Sequence, residues 1–124
     1  MNGFTDIPNS QTGRGIAGGG LVVTGGGEIG SSASYGMQAG YVNGQEMGWG
    51  YLQFHSTGWH TYGDVWMDVT NDGGNSWIQC GPFTTLYNRI TTAAYPTSSS
   101  PSRAFRVCGS LWPGNAGISC TGWW

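Results

Sequence analysis

The sequence predicts an all-β protein, an antiparallel β-sandwich or small barrel of about seven short strands. Three observations predict it. Apolar residues recur with period two in short runs, as Val65, Met67 and Val69 do against Trp66, Asp68 and Thr70, the alternation of a strand with one face in a core. Turn-forming residues separate these runs, Asn43-Gly44 and Asn71-Asp72-Gly73-Gly74-Asn75 being the plainest. No stretch carries apolar residues at i, i+3, i+4 over a useful length.

Composition narrows the function classes. The 124 residues suffice for one domain with a modest core. Only 8% are charged, against about a quarter in ordinary domains, so Ser, Thr, Asn, Gln and Gly must form the surface. Aromatics at 14% supply the apolar area that a disordered chain lacks. All basic residues are arginines (Arg14, Arg89, Arg103, Arg106) and the net charge is −2, so neither nucleic acid nor an anionic membrane surface finds a basic cluster. No apolar run of about 18 residues is present to cross a bilayer as a helix. The opening MNGFTDIPNS has no positive n-region or apolar h-region. With lysine absent and cysteines in the C-terminal half, the expectation is a secreted protein whose signal peptide has been removed.

Residues 1–33 are expected to form a glycine-rich N-terminal arm, and 34–124 an all-β domain. Glycine triplets flank Leu21-Val22-Val23-Thr24, and such density raises the entropy cost of ordering. Two readings stand: a flexible leader, or an extended arm with Ile16, Leu21, Val22, Val23 and Ile29 as contacts, adding to a sheet edge or filling a partner's cleft. From Ser34, Tyr35, Met37 and Ala39 share one parity toward the Asn43-Gly44 hairpin turn, and Met47 to His55 read as the return strand. Ser56 to Gly63 is expected as a loop bearing Trp59 and Tyr62.

Asp64 to Phe83 is the clearest hairpin. Thr70-Asn71-Asp72-Gly73-Gly74-Asn75-Ser76-Trp77 resembles the Asp-box, S/T-x-D-x-G-x-S/T-W, at each specified position. In the families that carry it, this motif is a folding device lying away from the catalytic centre. The resemblance implies a structural turn formed by Asp72, Gly73, Gly74 and Trp77. Gly81-Pro82 is then expected to break the strand, and Thr84 to Ala94 to form another. Tyr95 to Pro101 reads as a solvated loop. Arg103 to Cys108 alternates, with Phe105 and Val107 opposite Arg106 and Cys108. Leu111 to Gly117 reads as a turn, and Ile118 to Trp123 as the last strand.

Cys108 and Cys120 flank that last turn and are the first choice for a disulfide. Closing a loop of about a dozen residues contributes on the order of 3 kcal/mol. Cys80 is then a buried thiol or a partner for another chain, and the spacing does not suit zinc.

Little in the sequence points to catalysis. His55, His60 and Asp64 could supply a metal or base site, but read more simply as exposed loop histidines beside an acid. Asp64 and Asp68 lie about 13 Å apart along one strand face, too far for a glycosidase pair; Glu46 with either remains as a residual hydrolase reading. No G-x-S-x-G, P-loop or H-E-x-x-H occurs. A non-enzyme without cofactor or metal is expected. The aromatic inventory leads instead: Trp59, Tyr62, Trp112 and Trp124 are expected at the surface, whereas Trp66 and Trp77 are expected mostly inside. Exposed rings suit either a protein interface or a sugar platform.

The C-terminal half, with DGG-x-S-W-x-x-C-G-P-F, then A-F-R-V-C-G, then C-T-G-W-W, resembles small secreted actinobacterial domains. In particular it is similar to the small adaptor subunit of umbrella toxin particles, over residues 75–124. That resemblance implies a non-catalytic connector of protein subunits in an extracellular assembly, with an extended N-terminal segment engaging a partner. The alternative is a lectin-like domain that uses Trp59, Tyr62 and nearby amide side chains.

Overall fold

The computed structural model describes residues 3–7, 21–30, 32–55, 62–86, 89–112 and 117–124, with the side chains of 21–25 left aside. Among these residues there are nine strands and no helix: β1 (Leu21–Ile29), β2 (Ala33–Val42), β3 (Gln45–Phe54), β4 (Tyr62–Thr70), β5 (Ile78–Thr85), β6 (Arg89–Thr91), β7 (Tyr95–Pro96), β8 (Ala104–Trp112) and β9 (Ser119–Cys120). They form two antiparallel sheets. One has the order β1-β2-β3-β6, with β7 also on β3; the other has the order β5-β4-β8-β9. The two lie face to face as an open sandwich and do not close into a barrel.

The β2–β3 hairpin follows from Asn43-Gly44. Both residues have positive φ, +52° and +82°, and Val42 pairs directly with Gln45, so the loop has the two-residue primed geometry that matches strand twist. Odd residues of β2 and even residues of β3 then face the other sheet. Tyr35, Met37, Leu52 and Phe54 meet Val65, Met67, Phe105 and Val107 in the main core.

The sheets approach closely where β3 and β4 present glycine. A Cβ on Gly50 would stand 2.8 Å from Val107 Cγ1, and one on Gly63 would stand 2.7 Å from Leu52 Cδ2. Those inward positions are sockets for the opposing side chains.

Part of the expected arm belongs to the domain's own sheet. β1 pairs with β2 from Leu21↔Ala39 to Ile29↔Ala33, with register shifts between Val22 and Thr24 and between Gly25 and Gly27. The glycines that read as flexibility serve these bulges: Gly27 has φ +104°, and the Tyr35 ring fills the space a side chain at Gly26 would need. Ile29, expected as an arm contact, is 1% exposed within the core. Leu21, Val22 and Val23 lie on β1 at the backbone level, and Ile16 falls outside the described residues. Thr5 bridges Ala94, and Ile7 joins Val42, Met47, Trp49 and Ala94 in a second cluster on the far side of the larger sheet.

Several boundaries differ from expectation: β4 starts at Tyr62, Tyr95–Pro96 pair with β3 as β7, β8 runs on to Trp112, and the last strand is confined to Ser119–Cys120. β5 runs through Gly81-Pro82 instead of ending there. The register shifts opposite Val65 and Met67, and β5 is an edge strand, where a proline without an N–H is tolerated. Thr84–Ala94 is not one strand: β5 ends at Thr85 on the smaller sheet, and β6 starts at Arg89 on the larger. The period of two continues on both sides of this crossing, so alternation alone does not reveal it.

Candidate functional site

The outer face of the smaller sheet gathers five aromatic residues, Tyr62, Trp66, Trp77, Trp112 and Trp123. In β4, Val65, Met67 and Val69 point inward, so Tyr62, Asp64, Trp66 and Asp68 point outward. The β4–β8 register places Tyr62 opposite Trp112, Asp64 opposite Ser110, Trp66 opposite Cys108 and Asp68 opposite Arg106. Tyr62 and Trp112 are 36% and 38% exposed and sit side by side at one end. Trp66, half-buried, lies in the row of the Cys108–Cys120 disulfide. At the other end Trp77 is 48% exposed, contrary to its expected burial. Ile78 opens β5 opposite the buried Val69, and the preceding Trp77 lies instead over the outward guanidinium of Arg106, a partner from β8.

That guanidinium fixes the end of the face. Its carbon stands 4.6 Å from the Trp77 ring centroid and 4.3 Å from that of Trp123, and the two indoles are 5.6 Å apart. Its Nε and Nη2 donate to Asp68 Oδ2 at 3.0 and 2.7 Å. Asp68 Oδ1 is buried with no hydrogen-bond partner among the described residues, so the carboxylate relies on Arg106. Asp64 is similarly committed, accepting from Thr84 Oγ1 and from Trp112 Nε1 at 3.0 Å, which orients the exposed indole.

The Asp-box turn is built as its side chains dictate. Asp72 accepts from the Ser76 hydroxyl and, at 2.9 Å, from the Ser76 N–H; Thr70 Oγ1 receives the Gly74 N–H at 2.9 Å. The Ser76 hydroxyl, then the Ser76 N–H and Thr70, hold the Asp72 carboxyl below its ordinary value. Gly73 and Gly74 have positive φ. Trp77 covers the turn's flank against Trp123.

Other expected groups are dispersed. Glu46 lies near the start of β3 on the larger sheet, while Asp64 and Asp68 lie on the outer face of the opposite one, so the residual acid pair is not assembled. His55 Nε2 lies 2.8 Å from Glu28 Oε2, tying the end of β3 to β1; His60 and Trp59 fall outside the described residues. Among the described residues, no group of three His, Cys, Asp or Glu could hold a metal. Cys108 and Cys120 form the disulfide, and Cys80 is a buried free thiol pushed up to about 11, chiefly by burial.

A second feature lies where the sheets part, a cleft of about 320 Å³ lined by Met37, Ala39, Glu46, Thr97, Ser98, Arg103, Phe105 and Trp124. Trp124 is 58% exposed, and its backbone pairs in both directions with Phe105. Trp123 and Trp124 thus serve different surfaces, the outer face and the cleft. Sequence reasoning missed the cleft because its rim comes from the Ser/Thr segment that read only as solvated loop. It missed the Asp68–Arg106 pair because cross-strand register is not written in either strand alone. Comparison of the chain with protein-family models, with curated proteins and with solved structures finds no match.

Proposed function

We propose that this chain is a non-catalytic binding module of a secreted assembly, joining a protein partner through the outer face of its smaller sheet. The observation that carries this reading is the set of outward rings on this face: Tyr62, Trp66 and Trp112 on the paired strands β4 and β8, with Trp77 and Trp123 on the segments beside β5 and β9. Exposed apolar surface on a soluble fold marks contact sites, and Trp, Tyr and Arg dominate the binding energy of protein interfaces. Asp64 orients Trp112, and Arg106 fixes Trp77 and Trp123, so little side-chain entropy is lost on contact. The acids of the face are already engaged as acceptors, which favours a scaffold over acid–base chemistry. A disulfide suits an oxidising compartment.

The test immobilises the intact chain, a Tyr62→Ser/Trp112→Ser variant and a Tyr41→Ser variant, and exposes each to the producing cell's secreted fraction. Tyr41 is an exposed ring off this face. The reading expects a defined partner on the intact chain and on Tyr41→Ser, lost from the double variant. Equal retention by all three contradicts it.

A further inference from the structure

We infer that the cleft between the sheets binds a single pyranose ring, at a site separate from the outer aromatic face. Its volume of about 320 Å³ lies at the low end of the roughly 300–1,000 Å³ of small-molecule sites, enough for one ring-sized ligand. Its two sides differ in chemistry. Met37, Ala39 and Phe105 form an apolar floor, and the Trp124 indole forms a flat wall. The rim carries the Glu46 carboxylate, the Arg103 guanidinium and the hydroxyls of Thr97 and Ser98.

The polar groups are held in place before any ligand arrives. Thr97 Oγ1 donates to Glu46 Oε1 at 2.8 Å, and the Thr97 N–H donates to the Glu46 carbonyl at 3.1 Å. Arg103 donates to Asn71 Oδ1 and the Pro96 carbonyl, and lies 5.0 Å from the Tyr95 ring centroid. One acid and one guanidinium cancel, so the rim favours neither an anion nor a cation. It offers donors and acceptors together, as vicinal hydroxyls require. A pyranose presents hydroxyls at its edge and a C–H face that packs against an indole, which matches rim and wall at once. The zwitterion of glycine would also meet the paired charges, but makes no use of a flat apolar wall.

The test titrates the full ¹⁵N-labelled chain with the methyl glycosides of glucose, galactose, mannose and N-acetylglucosamine, and with glycine as the zwitterion, to tens of millimolar. Expected are saturable shifts from at least one glycoside at Glu46, Thr97, Ser98 and the Trp124 indole, with none at Trp112. Trp124→Ala should weaken that binding about tenfold or more, and Ser98→Ala, which removes only the exposed Ser100 N–H bond to Ser98 Oγ and no strand pairing, by a smaller factor. The inference is overturned if no glycoside gives saturable shifts at the cleft, if glycine binds there as well as the glycosides do, or if Trp124→Ala in a folded chain binds unchanged. Partner capture through Tyr62 and Trp112 is read separately, so failure at one surface leaves the other standing.

Discussion

Arg106 holds Asp68 through Nε and Nη2 while its carbon stands over two indoles, so a nearly buried carboxylate and an exposed aromatic corner depend on one side chain. Asp68 and Arg106 face each other across the β4–β8 pairing. The pair therefore fixes strand register as well as charge, because a one-residue slip of either strand would turn its member of the pair to the opposite face, away from its partner.

Arg106→Met should destabilise the fold by about 2–4 kcal/mol, because it strands a buried carboxylate. Asp68→Asn/Arg106→Met should lose less than the single variant, the mark of a coupled pair. Urea unfolding midpoints at unchanged slope give the comparison.

The Asp72 turn sets a pH dependence. Its carboxyl lies below the ordinary 3.8 in the folded chain. The contribution is therefore fully present above about that pH and is lost as pH falls through the lower folded value. Asp72→Asn should flatten the acid limb of the thermal midpoint profile. Thr70→Val, which leaves the Gly74 N–H without its acceptor and takes the Thr70 hydroxyl from Asp72, should cost about 1–3 kcal/mol at neutral pH and less once Asp72 is protonated.

The thiols should behave differently from one another. Cys80, buried and raised from 9.0 to about 11, should resist alkylation in the folded chain at neutral pH. Because the unfolded thiol ionises first, stability should fall as pH rises from 9.0 toward about 11, and Cys80→Ala should shallow that alkaline limb, the rest of which belongs to Tyr35, also raised by burial. Reducing Cys108–Cys120, separated by 12 residues, should cost about 3 kcal/mol.

Gly50→Ala should be harmful although alanine is a small residue. Its Cβ would meet Val107 Cγ1 at 2.8 Å and Cγ2 at 3.0 Å, an overpacking of about 1–3 kcal/mol. Val107→Ala in the same chain should recover part of the loss, read by the same urea midpoints.

Much of the fold was legible because its cues are local. Asn43-Gly44 specifies its turn through two positive φ values, and Asp72 with Ser76 closes the second hairpin within a few residues. The Cys108–Cys120 link was legible from a short turn between strands. What depends on distant partners was not. The glycines before Ile29 read as flexibility, yet their role is set by Tyr35 and by the edge of β2. Trp77 read as buried because a tryptophan usually is, whereas Arg106, 29 positions on in the sequence, holds it at the surface. Trp124 was expected to be exposed, but the cleft it lines is built from β2, β3, β8 and the segment after β7. No single stretch of sequence contains that site.

Oxidative footprinting of the captured complex tests the binding account most directly, by comparing side-chain labelling of the free and bound chain. Tyr62, Trp77 and Trp112 should be protected in the complex, with Tyr41 labelled equally in both states. Protection of Tyr41 with Tyr62, Trp77 and Trp112 labelled as in the free chain would contradict it.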